Sequence, residues 1–195
     1  MIEVIVIAVA AAAAVAFIVL YNRLVALKHR VSNAFAQIDV QLKRRHDLIP
    51  NLVEVAKNYM GYERATLEAV TAARTAAQAA GRGASQNPTS AQAIAAVAAT
   101  EGALSATLGR FFGLVENYPD LKANQTMMQL AEELTSTENR IAFSRQAFND
   151  AVMRLNVGVE SFPAVVFAGA LGFRRAEMLQ PLEREADREP PAASF

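Results

Sequence analysis

The sequence predicts an all-α protein in which an N-terminal transmembrane helix continues into a long antiparallel four-helix bundle. Three observations carry that expectation. An unbroken apolar run opens the chain, and apolar residues then recur at steps of three and four for most of its length. No alternating stretch longer than a few residues asks for a strand.

The opening run spans Ile2 to Leu20, with Glu3 its only charge. Its 19 residues at about 1.5 Å each make roughly 28 Å of helix, close to the ~30 Å hydrocarbon core of a bilayer. Ile2, Ile5, Ile7, Val9, Val15, Phe17, Ile18 and Leu20 are its large lipid-facing candidates, and Tyr21 stands where an interfacial aromatic belongs. A cleaved signal peptide wants a positive start and a shorter apolar core; this chain has an acidic start and a longer core, which favours an anchor. A buried core helix is the other alternative. No Lys or Arg precedes the run, whereas Arg23, Lys28 and Arg30 follow it. The positive-inside rule then places the amino terminus outside a cell (inner) membrane and the domain in the cytoplasm. The basic excess over residues 21–49 reads as that topology signal more than as lipid contact.

Past the anchor the stripe runs Leu24, Leu27, Val31, Phe35, Ile38 and Leu42, with no Gly or Pro up to Ile49. The first helix is therefore expected to be continuous with the membrane helix and to stop at Pro50, because the residue before a proline is pushed out of the helical region. A second stripe follows through Leu52, Ala56, Tyr59, Glu63, Leu67, Val70 and Ala77. Gly81 to Pro88 carries the signals of a loop. A third helix runs through Ile94, Val97, Leu104, Leu108, Phe111 and Val115 and ends at Tyr118-Pro119-Asp120. The fourth keeps a near-heptad, coiled-coil-like step from Met127 through Leu130, Leu134, Thr137, Ile141, Ser144, Phe148, Val152 and Leu155 to Val159. Thr137 and Ser144 in that seam read as small residues bonding their own backbone. The Ala-rich stretch from Ala72 to Ala106 supplies helix propensity and close packing.

These elements divide the chain into an anchor (1–21), a bundle (22–161), an apolar membrane-proximal segment (162–175) and a flexible tail (176–195). The proximal segment follows from length. A first helix ending near Leu48 is shorter than a fourth helix reaching Ser161 by about 15 Å, so the fourth returns to bilayer level or past it. There it meets Phe162 to Phe173, which holds no charge and is too short to span. Phe162, Val165, Val166, Phe167, Leu171 and Phe173 are its candidate contacts with lipid or a neighbouring subunit. At the opposite end, the turns Asp47-Leu48-Ile49-Pro50-Asn51 and Tyr118-Pro119-Asp120 are expected to share the distal pole. There Asp47, Ile49, Pro50, Asn51, Tyr118, Pro119 and Asp120 make a candidate interaction surface, with helix stopping and capping as their simpler role.

Composition and motifs exclude much chemistry. Lys plus Arg and Asp plus Glu number 19 each, so net charge is zero and nothing suggests a nucleic-acid surface. The chain has no Cys, which removes disulfides, thiol catalysis and thiolate metal sites. His29 and His46 are the only histidines, and neither follows a Glu by three residues, as a di-iron bundle requires. No H-E-x-x-H, phosphate-binding glycine loop or G-x-S-x-G occurs. Glu132, Glu133 and Glu138 read as a solvated face. No catalytic residue, metal site or cofactor is expected, and the chain does not read as an enzyme.

Four stretches carry a resemblance: Gln37 to Val53, Glu63 to Val70, Tyr118 to Gln125 and Glu132 to Ala142. With Asn149-Asp150-Ala151-Val152, Phe162-Pro163 and Gly172-Phe173, they resemble the LemA family, in order, from Tyr21 to Phe173. The tail ending in Phe195 is also similar, though it lacks the Val of the family pattern near its end, and His46 stands where that pattern has Tyr. The resemblance implies a single membrane helix and a helical bundle, and no agreed activity; some relatives act in magnetosome formation. Two functional readings follow. One is a self-associating scaffold that organises or marks a membrane patch, with the bilayer and further copies of the chain as its partners. In small-residue form, Ala8 to Ala16 lets membrane helices approach closely. The other is a membrane-tethered adaptor presenting its distal turns to a protein partner of unidentified kind.

Overall fold

The computed structural model describes residues 1–179. Its described residues are helical and contain no strand. Helix α1 (Ile2–Lys57) runs 56 residues without a break. Residues 2–19 are exposed all round, and α1 is the one described helix long and apolar enough to cross a membrane. From Leu24 onward the same helix is one-sided: Leu24, Val31, Phe35, Ile38, Leu42, Ile49, Leu52, Val53 and Ala56 are buried. The change from apolar on every side to a single apolar stripe marks the end of the apolar run.

Pro50 does not stop α1, which carries on to Lys57. A proline inside a helix removes the N–H that would reach the carbonyl four residues back, here that of His46. Arg74 of the second helix fills the gap, its Nε donating to the His46 carbonyl oxygen at 2.6 Å. The expected turn at 47–51 is therefore a stretch of helix, and the chain turns at residues 58–63 instead.

Helix α2 (Arg64–Gln86) also outruns its expected end. Gly81 to Gln86 is helical rather than a loop, with Gly81 and Ala84 buried. The break falls at Asn87-Pro88, and Ser90 then caps α3 (Ala91–Val115) by accepting from the Ala93 N–H. A single turn, α4 (Pro119–Lys122), buries Leu121. Helix α5 (Gln125–Glu160) starts at Asn124, whose side-chain oxygen accepts from the Met127 N–H at 3.1 Å. A last turn, α6 (Ala164–Phe167), follows Ser161.

Helix α1 packs on α5 and α2, and α2 packs on α3. Along α1 and α5, Tyr59 meets Asn124, Arg44 meets Glu133 and Phe35 meets Phe148. Lower down, an added Cβ at Gly158 would stand 2.6 Å from Leu27 Cδ1, so a bare backbone lets the two helices close up there. With α1 extended to Lys57, its part beyond Leu20 matches α5 in length, and the length difference expected from a stop at Pro50 disappears. The end of α5 still arrives beside the end of the apolar run, where Gly158 lies against Leu24 and Leu27.

Residues 176–179 are not a flexible tail. Ala176 and Leu179 are buried against α5. Asn156 donates to the Ala176 carbonyl and accepts from its N–H, at 3.0 and 2.8 Å. Asn149 does the same for Leu179 at 3.1 and 2.9 Å. Seven helical residues cover about 10 Å, the length of three extended ones, so two asparagines on one helix face grip two backbone positions of the segment that follows α6. Residues 180–195, the rest of the expected tail, lie outside the described residues.

Candidate functional site

Three places concentrate the features that function would use. At the distal pole, residues 58–63 lie against the turn through α4. Tyr118 donates to Glu63 at 3.5 Å, and Asn124 Nδ2 donates to the Tyr59 hydroxyl at 3.2 Å. Met60 and Leu121 plug the space beneath. Of the residues expected here, Tyr118 is half-buried and Pro119 and Asp120 are exposed. Asp47, Ile49, Pro50 and Asn51 are absent from the pole: they lie inside α1, Ile49 in the core and the other three on its outer face. The turn that replaces them carries Tyr59 and a wholly exposed Tyr62. Gly61 was the signal for it, outweighed by the apolar step that runs on through Tyr59 and Glu63.

The middle of the molecule holds a polar cluster that no sequence motif announced. Arg45 and His46 are both buried, on adjacent positions of α1. Arg45 Nη1 pairs with Glu101 Oε2 at 3.2 Å and Glu138 Oε2 at 3.1 Å, and its Nη2 donates to Ser105 Oγ at 2.8 Å. His46 Nε2 donates to the other Glu101 oxygen at 2.7 Å. Both oxygens of one buried carboxylate are thus engaged, and α1, α3 and α5 are tied at one level. Glu138 is half-exposed yet paired, and Glu133 pairs with Arg44 at 3.7 Å, so these carboxylates are more than a solvated face. The cluster is a closed network of charge-assisted bonds, arranged to hold helices in register. Among the described residues, no group of three or more His, Cys, Asp or Glu could hold a metal ion.

At the proximal pole, the segment after α5 folds back onto α1. Ala164, Ala168 and Phe173 are buried with Leu24. Phe167 meets Phe17 edge-on at 5.8 Å between ring centroids, and Tyr21 meets Phe173 at 5.7 Å. Leu171 is half-buried beside them. Gly172 turns the chain at φ 78°, in the left-handed region that favours glycine. The segment reaches the level of Phe17, inside the apolar run. Its outer face is apolar too: Phe162, Val165 and Val166 are 84%, 54% and 64% exposed. Of the anchor candidates, Ile2, Ile5, Ile7, Val9, Val15 and Ile18 remain exposed, while Phe17, Leu20 and Tyr21 touch the folded-back segment.

A continuous anchor-like helix, paired long helices and this proximal fold-back lie within a chain whose residues 34–195 match the LemA family model. The chain belongs to the LemA family. It is similar to the magnetosome protein MamQ 2 of Paramagnetospirillum magneticum, at 26% identity over 82% of this chain and 64% of the relative. It is also similar to the magnetosome protein MamQ of Magnetospirillum gryphiswaldense, at 25% identity over 80% of this chain and 63% of the relative. The chain therefore spans under two thirds of the length of these relatives. The LemA match begins at Ala34 and contains all three candidate places except the apolar run, Tyr21 and Leu24.

Proposed function

We propose that this LemA-family chain is a membrane-anchored helical scaffold that self-associates and organises or marks a membrane patch. The observation that carries the reading is the two-part apolar surface at one end. Residues 2–19 are exposed on every side, and Phe162, Val165 and Val166 present a second apolar face beside the end of that span. Exposed apolar surface of that kind marks contact with lipid or another subunit. Lipid would cover the first face, and lipid or a neighbouring copy the second. Two relatives named as magnetosome proteins support a role in organising a cellular structure. We read the four long helices as an antiparallel bundle, supported by the falling numbers on α5 as those on α1 rise. The amino terminus lies outside and the bundle in the cytoplasm, on the charge rule.

The test is extraction followed by imaging. Alkaline carbonate should leave the full chain in the membrane pellet. Single particles of chain purified in mild detergent should be large and uniform. A monomer that carries a co-purified protein would replace the scaffold with the second reading, an adaptor. That alternative has its own observation, the exposed Tyr62 and half-exposed Tyr59 in the distal turn.

A further inference from the structure

We propose that the cleft between α1 and α5 at the end of the span binds one anionic phospholipid. The cleft measures about 560 Å³. Leu20, Leu24 and Leu27 form its α1 wall, Val157 and Gly158 its α5 wall, and Phe162 closes one end. Arg23, Arg30 and Arg154 stand among these apolar residues, and no carboxylate lines the cleft. Among the described residues, none of the three arginines takes part in an ion pair. Three exposed guanidiniums thus line one cleft with no carboxylate among them, a concentration of positive charge that an anion balances.

The level of the cleft decides which anion. Arg23 is three residues past Leu20, roughly 5 Å beyond the hydrocarbon edge, which is the depth of the headgroup layer. Leu20 is the last residue of the apolar run and lines the cleft, so the apolar lining meets the hydrocarbon edge while Arg23 stands at headgroup level. A phosphodiester suits the arginine fork, which binds phosphate oxygens in pairs. An acyl chain lies along Leu20, Leu27 and the exposed ring of Phe162. A soluble phosphate would use the arginines and leave the leucine wall bare. Gly158 keeps the cleft narrow, because the bare backbone brings α5 onto Leu24 and Leu27.

The inference rests on residues 2–20 crossing a bilayer, and the experiment separates the two. Carbonate extraction reads the anchor. Native mass spectrometry of delipidated full-length chain, titrated with phosphatidylglycerol or phosphatidylcholine, reads the cleft. The expected result is one retained phosphatidylglycerol per chain, at least five-fold over phosphatidylcholine. Changing Arg23, Arg30 and Arg154 together to Gln should bring phosphatidylglycerol down to the phosphatidylcholine level, with carbonate resistance unchanged. Val157→Trp, which fills the cleft and keeps the arginines, should lower retention as well. Equal retention of the two lipids by the unaltered chain, or an undiminished preference in the triple variant, overturns the proposal. Release by carbonate would instead overturn the anchor.

Discussion

At residue scale, Pro50 shows how one tertiary contact can undo a strong local rule. The proline leaves the His46 carbonyl without its helical donor, and Arg74 supplies one from another helix. His46 is buried, so an unpaired carbonyl there costs about 1–3 kcal/mol. Arg74→Met should destabilise the chain by that amount in a denaturant titration. In a Pro50→Ala background the restored N–H can take the carbonyl, and the same change should cost less than half as much. Equal costs in both backgrounds would mean that Arg74 contributes through its other contacts. Glu101 obeys the companion rule for buried charge. Glu101→Ala leaves His46 without a partner and Arg45 with only Ser105 and the half-exposed Glu138, and should cost about 3–5 kcal/mol, whereas Arg45→Met combined with Glu101→Leu removes the buried charges together and should cost less than the single change.

Among the elements, periodicity was legible wherever burial alone chose the residues. Every stripe residue expected in α3 is buried, and so is the α5 series from Met127 to Leu155 apart from the half-buried Ser144. Thr137 bonds the Glu133 carbonyl at 2.7 Å, the backbone role expected for it. Helix ends were less legible, because Pro50 and Gly81 are read by local rules while their outcome is set by distant partners. Arg74 rescues one. At the other, Gly81 and Ala84 are buried, so packing carries the helix past the glycine. The polar cluster was illegible for a related reason: Arg45 and Glu101 are 56 residues apart in sequence. The same applies to the asparagine clamp. If Asn149 and Asn156 hold the segment after α6, changing both to Ala should speed tryptic cleavage at Arg174 and Arg175 several-fold. Cleavage elsewhere should stay at its original rate. No acceleration at that pair would show that burial of Ala176 and Leu179 suffices.

Across the whole molecule, one helix links the apolar run to the distal turn, so the position of the bilayer fixes the height of everything else. On the proposed span, residues 162–173 fall at the hydrocarbon edge and the turn at 58–63 some 55 Å away, since 37 helical residues separate Leu20 from Lys57. The chain contains no tryptophan, which makes a single introduced one an unambiguous depth reporter. Val166 and Tyr62 are suitable positions because both side chains are exposed, at 64% and 102%, and neither change disturbs the core. In liposomes, Val166→Trp should emit as a shielded indole and be quenched by lipids carrying a spin label high on the acyl chain. Tyr62→Trp should emit as a water-exposed indole and ignore the same label. Dilution of the chain with excess lipid then distinguishes the two covers available to Val166. Quenching that persists when the chain is sparse means lipid covers that face. A shielded indole that escapes the label and becomes water-like on dilution means a neighbouring copy does. An indole exposed to water at every dilution would remove the fold-back segment from the membrane surface and leave the span as the sole contact.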